Sequence, residues 1–157
     1  MEKIPMTSGG LTELEHELKR LKTKERPAII RAIGTAREHG DLSENAEYHA
    51  ARERQSFVEG RLAELEDIIS RAEVIDTSSM SGDVVRFGAT VKLTDEDTGE
   101  ESTYRIVGSH EAEIASGRLS VTSPLARALI GKSMGEVIEV TTPRGSKAYE
   151  IINVAYG

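Results

Sequence analysis

Gly40-Asp41-Leu42-Ser43-Glu44-Asn45-Ala46-Glu47-Tyr48 is a short, acidic, glycine-led stretch between two long segments that carry leucine-rich rows at helical spacing. Before it, Leu11, Leu14, Leu18 and Leu21 follow 3-4-3 spacing; after it, Val58, Leu62, Leu65, Ile69 and Ala72 follow 4-3-4-3. Such rows are the a/d seam of packed helices. A reversal this short returns the second helix antiparallel to the first, so residues 1–76 are expected to form a coiled-coil hairpin with the acidic stretch at its tip. Each arm has roughly 30 residues, about 45 Å at 1.5 Å per residue. Towards the reversal Ala28, Ala32, Ala36, Ala46, Ala50 and Ala51 stand where leucine would be. Small side chains let backbones approach, so the far end should be narrow.

Pro27 interrupts the first arm. Inside a helix it removes one hydrogen bond and clashes with the preceding turn, at about 3 kcal/mol. The expectation is a kink, or a break with Pro27 restarting the helix at its first position. Gly34 is a second weak point, and Thr7 or Ser8 is the N-cap ahead of Leu11. After Asp76 the polar run Thr77-Ser78-Ser79-Met80-Ser81-Gly82 reads as a linker to a second domain, residues 77–157. There Val84 to Leu93 and Thr103 to Val107 read as strands about an acidic turn, followed by a short strand at Leu119 to Val121. Pro124 to Ile130 reads as a short helix ending at Gly131, and Val137 to Thr141 and Tyr149 to Val154 as further strands. The fold class is therefore α plus α+β: a helical hairpin, then a small twisted sheet with one short helix.

Composition removes several functions. There is no cysteine, which excludes disulfides, thiolate zinc sites and cysteine nucleophiles. The net charge is −7, with 12 Lys/Arg against 16 Asp/Glu in residues 1–76 and 8 against 11 in residues 77–157. Neither half offers the wide basic surface of an autonomous duplex binder, so strong DNA binding by the protein alone is not expected. The six aromatics, Tyr48, Phe57, Phe87, Tyr104, Tyr149 and Tyr156, are too few for a base-stacking platform. No signal-peptide core or bilayer-length apolar run is present, and the expected location is the cytoplasm. His39 and His49 flank the tip acids, yet a stable zinc site needs three or four converging ligands. No phosphate-binding glycine loop or serine nucleophile elbow appears.

Two readings of the tip compete. In the structural one Gly40 ends the first helix in a left-handed conformation, Asp41 caps the next helix and Glu44 completes a capping box. In the chemical one Asp41 and Glu44 direct oxygens at one hard cation. Magnesium keeps several waters and takes one or two carboxylates plus ligands from elsewhere, so two acids make half a site. The other half would belong to a partner, as in two-metal phosphoryl chemistry. Arg37, Arg52 and Arg54 lie near the tip and are candidates for contact with RNA phosphates, against a solvated ion-pairing face. The run Lys19 to Arg26 is the wet side of the first helix.

Arg26-Pro27, Ala36 to Tyr48, Val84 to Gly88, Ile106-Val107-Gly108 and Ser120 to Lys132 together closely resemble the GreA/GreB family of bacterial transcript cleavage factors, its GreA branch more than its GreB branch. The resemblance spans essentially the whole chain. It implies a non-enzymatic accessory factor whose hairpin enters the secondary channel of RNA polymerase. Asp41 and Glu44 would there hold a magnesium ion jointly with the polymerase's own aspartates, so that the backtracked nascent RNA is cut near its 3′ end and the arrested complex resumes. Leu42 and Ser43 are implied to position the tip. The C-terminal domain is implied to be FKBP-like and to dock at the channel mouth, with Ser123 and Pro124 as the contact. Two rivals stand beside this: a prolyl isomerase or chaperone acting through the C-terminal domain, and a structural coiled-coil adaptor whose tip acids are only a cap.

Overall fold

Leucine at every third or fourth position gives the first half its helices. The computed structural model describes residues 2–42 and 44–157 and places α1 at Ser8–Arg20, α2 at Arg26–Arg37 and α3 at Ala46–Ser70. The two arms pack through Leu14, Leu21, Ile29, Ile33 and Ala36 on one side and Ala51, Val58, Leu62, Leu65 and Ile68 on the other, all buried. Leu11 and Leu18 are only half-buried. On α3 the row runs Val58, Leu62, Leu65, Ile68, so the position expected at Ile69 falls one residue earlier. Ion pairs border the seam: Arg26 grips Glu59 with two bonds of 2.8 and 2.7 Å, and Arg61 grips Glu17 at 2.8 and 2.9 Å. The Arg61 guanidinium holds the Glu17 carboxyl below its ordinary value.

The interruption at Pro27 takes a form the sequence did not announce. Leu21–Glu25 is a π-helical turn, in which the Arg26 N–H donates to the Leu21 carbonyl, five residues back. Pro27 follows in the first turn of α2. The wider turn ends where proline has no N–H to donate, so the arm neither stops nor continues as plain α-helix.

The chain divides into two units, Leu11–Ala72 and Lys3–Gly10 with Glu73–Gly157. The compact units part at 72/73, while the change of composition falls at 76/77, and residues 3–10, ahead of the first leucine row, group with the second unit. Its strand β1 (Ile4–Met6) pairs with β2 (Ala72–Val74). Thr7 is the N-cap of α1, its Oγ1 accepting from the Gly10 N–H at 3.0 Å. Thr77, expected in a solvated linker, is buried, and the Arg105 guanidinium donates to its hydroxyl at 3.4 Å.

The sheet of the second unit has five strands: β3 (Thr90–Asp95), β4 (Glu101–Val107), β5 (Arg118–Ser120), β6 (Val137–Thr142) and β7 (Gly145–Ala155). Their order is β5-β4-β3-β7-β6. All neighbours are antiparallel except β4 and β5. The register of β3 against β7 shifts between Lys92 and Leu93, a bulge that increases local twist. The helix α4 (Pro124–Leu129) contributes Ala126 and Leu129 to a core with Val85, Val91, Leu93, Ile106, Leu119 and Ile151. The strand expected from Val84 begins only at Thr90. Val84 makes an isolated bridge to Ser133, and the Val85 N–H donates to the Lys132 carbonyl at 2.8 Å, so this run closes over the turn after α4 instead of joining the sheet. No helix among the described residues is long and apolar enough to cross a membrane.

Candidate functional site

The reversal starts where α2 runs out of hydrogen-bond partners. The Glu38, His39 and Gly40 N–H groups donate to the Thr35, Ala36 and Arg37 carbonyls at 3.2, 3.1 and 3.2 Å, three-residue closures that tighten the last turn. Gly40 then takes φ +98°, a conformation that costs side-chain-bearing residues and suits glycine. This is the helix-ending role expected of it.

The capping box is not formed as expected. Helix α3 begins at Ala46, and its cap is Asn45, whose Oδ1 accepts from the Tyr48 N–H at 3.0 Å. Asp41 lies four residues ahead of this cap, and Glu44 sits just before it instead of at the third helical position. A side chain caps a helix only from the position adjoining its first turn, so the role assigned to Asp41 and Glu44 belongs to Asn45. Both acids are exposed. They line a concavity of 390 Å³ together with His39, Asn45, Ala46 and Glu47. Ser43 lies outside the described residues, and Leu42 is half-buried.

Neither flanking histidine joins a metal cluster: His39 Nε2 is 3.1 Å from Glu47 Oε2, and the His49 ring meets the Tyr48 ring edge-on, centroids 5.6 Å apart. Among the described residues no group of three or more His, Asp or Glu converges on a metal-sized space. Asp41 and Glu44 are two carboxylates on one concavity, and a hard cation such as magnesium would need the rest of its ligands from elsewhere. Arg37 and Arg52 are exposed on the arms that flank the tip, while Arg54 reaches Glu25 at 3.5 Å and behaves as part of the ion-pairing face.

In the second unit Ser123 Oγ accepts from the Ala126 N–H at 3.2 Å and donates to the Ser120 carbonyl at 2.7 Å. The hydroxyl is thus the cap of α4, and the exposed residue of the pair is Pro124. Tyr104, Tyr149 and Tyr156 pack against the core, and the Tyr156 hydroxyl receives the Arg86 N–H at 2.8 Å and donates to the Val84 carbonyl. These aromatics are structural, and no finding supports the isomerase alternative. Sequence reading passed over Asn45. Its signal was present, since asparagine is among the best capping residues, but Asp41 offered a competing cap with an acid three residues on.

The family model for the N-terminal part of transcription elongation factors matches residues 4–74, and that for the GreA/GreB C-terminal part matches residues 80–156. Transcription elongation factor GreA of Rhodospirillum rubrum is 66% identical over 157 residues, covering 100% of both chains. Its counterpart from Caulobacter vibrioides is 64% identical over 156 residues, 99% of each. A solved structure of the transcription factor Gfh1 is 27% identical, covers 98% of this chain and 99% of its own, and superposes with a TM-score of 0.47. The chain belongs to the GreA/GreB family of transcription elongation factors.

Proposed function

We propose that this protein binds RNA polymerase and stimulates cleavage of the backtracked nascent transcript, rescuing arrested elongation complexes, as an accessory factor that has no active site of its own. The single observation that carries the reading is that the exposed acids Asp41 and Glu44 line one concavity on the tip loop, while the cap of α3 is Asn45.

In this reading the hairpin delivers the two carboxylates to the polymerase's catalytic centre through the secondary channel. Asp41 and Glu44 each offer oxygens to a magnesium ion shared with the polymerase, and Leu42 and Ser43 position the tip against the channel. Magnesium supplies charge neutralisation for hydrolysis of a phosphodiester near the RNA 3′ end. Arg37 and Arg52, exposed on the arms beside the tip, would meet the transcript's phosphates. Pro124, with Ser123 holding α4 in shape, is the contact of the second unit with the polymerase. The acidic net charge fits a factor that takes its nucleic acid from a partner, and the site of action is the cytoplasm.

The test uses a stalled elongation complex carrying 3′-labelled RNA, with magnesium. The protein should release short 3′ fragments, and Asp41→Ala or Glu44→Ala should bring cleavage down to the factor-free level while polymerase binding and helix content stay unchanged. Full cleavage by both variants would refute the assignment.

A further inference from the structure

The geometry of the tip points to Asn45 as its positioning residue: one carboxamide ties the end of α2 to the start of α3 and so fixes the loop that presents Asp41 and Glu44. The inference rests on the tip reading above and adds a residue to it. Asn45 Nδ2 donates to the Ala36 carbonyl at 2.6 Å, while its Oδ1 accepts from the Tyr48 N–H at 3.0 Å. Ala36 is almost fully buried in the seam, so the anchor on the α2 side is rigid core. Its carbonyl also accepts from the His39 N–H at 3.1 Å. The backbone of Asn45 is held as well, its N–H towards the Leu42 carbonyl at 3.5 Å and its carbonyl accepting from the His49 N–H at 3.1 Å.

A cap alone requires only an acceptor, and serine or aspartate provides one as well as asparagine does. Only asparagine among these adds an amide donor at the same reach. That donor is directed across the hairpin, not along α3, and it ties the start of α3 to the end of α2. Carboxylates that must meet an ion held partly by another protein lose affinity when their loop samples other positions, because the ordering is then required at the moment of binding. Asn45 does not touch the ion in this account. It acts through Asp41 and Glu44.

The test compares wild type, Asn45→Ser, which keeps an acceptor for the Tyr48 N–H, and Asn45→Ala, which keeps neither bond. Two measurements are made: amide hydrogen exchange on the free protein, and the magnesium concentration giving half-maximal cleavage in the stalled complex with 3′-labelled RNA. Loss of one hydrogen bond corresponds to about fivefold, so Asn45→Ser should exchange about fivefold faster at His39 and Gly40, whose N–H groups are bonded in the turn that the Asn45 amide holds, with Leu62 and Leu65 unchanged. It should also need about fivefold more magnesium for half-maximal cleavage, with the rate at saturating magnesium close to wild type. Asn45→Ala should show the same displacement, with fraying of the first turn of α3 in addition. Wild-type exchange and wild-type magnesium dependence in Asn45→Ser would overturn the inference and leave Asn45 as a cap. A lowered saturating rate with unchanged magnesium dependence would overturn it too. No stimulated cleavage by the wild-type protein would overturn the tip reading itself, and this inference with it.

Discussion

Glu111 has 8% exposure, and most of the donors that hold its carboxylate lie far from it in the sequence. Its oxygens accept from the Thr7 N–H at 2.9 Å, the Thr7 hydroxyl at 2.5 Å and the Gly108 N–H at 3.0 Å. Thr7 in turn caps α1, so one acid satisfies donors 104 residues away. Glu111→Ala leaves two backbone N–H groups in a dry site, and an unsatisfied buried donor costs about 1–3 kcal/mol. The variant should lose about 3 kcal/mol of stability in urea, read by hydrogen exchange at Val91 and Leu93, and Glu111→Gln about half of that. Gly108 tolerates no side chain, since a Cβ there would clash with the Pro5 carbonyl oxygen and stand 3.0 Å from Glu111 Oε2. Among the described residues Asp95 is the other little-exposed acid. The Asp97 N–H, at 2.8 Å, is the main influence lowering its carboxyl pKa, followed by the Thr98 N–H at 3.3 Å. A carboxyl depressed in the folded state contributes stability above the unfolded value of about 3.9, and that contribution is lost as pH falls through the lower folded value. Asp95→Asn should therefore flatten the acid limb of a stability-against-pH curve below about pH 4, with little change in its shape near neutrality. Neither acid was legible beforehand. Asp95 sat in a turn whose composition was plain, but the partner of Glu111 is set by tertiary packing that no local pattern encodes.

At the scale of the element, the π turn explains a mismatch between the two rows of the hairpin. Leu14 to Leu21 is seven residues and Leu21 to Ile29 is eight, whereas Ala51, Val58 and Leu65 keep sevens on α3. In plain α-helix eight residues turn Ile29 about 80° away from Leu21, and a five-residue π turn removes roughly that rotation. The extra residue thus lies in Leu21–Glu25, and Pro27 marks its end without being its cause. Pro27→Ala alone should keep the π turn, because straightening it would take Ile29 off the seam. Deleting Thr23 as well as making Pro27→Ala should yield continuous α-helix with the seam intact. Helical amide exchange and circular dichroism check both variants: the double change should be about 3 kcal/mol more stable than the Thr23 deletion with Pro27 retained, which would place proline inside a regular helix. The leucine rows and the acidic reversal were legible because periodicity is local. The π turn was not, since Ile29 and Ile33 were absent from the row read for the first arm, and only a second anchor beyond Pro27 reveals the eight-residue step.

At the scale of the whole chain, the order of units along the sequence differs from their order by composition. The chain enters the second unit at Lys3, leaves it after Gly10 and returns at Glu73. Periodicity assigns the opening residues to the helices that follow them, and a three-residue strand such as Ile4–Met6 carries too short a pattern to object. What places it is a set of distant partners: Met6 is buried, its carbonyl accepts from the Ile75 N–H at 3.0 Å, and Thr7 holds Glu111. A chain beginning at Leu11 keeps every seam residue of the hairpin, yet it takes β1 from β2 and two of the three donors from Glu111. The expected outcome is a selective one. Amide exchange at Val58, Leu62 and Leu65 should stay close to that of the full chain, while exchange should accelerate around Gly108 and Glu111 and in β2, and the second unit should unfold at lower urea. Equal weakening of both units would mean that the first ten residues serve the hairpin after all. Retained protection around Glu111 would mean that water replaces the Thr7 donors without loss, which a site of 8% exposure gives little room to do.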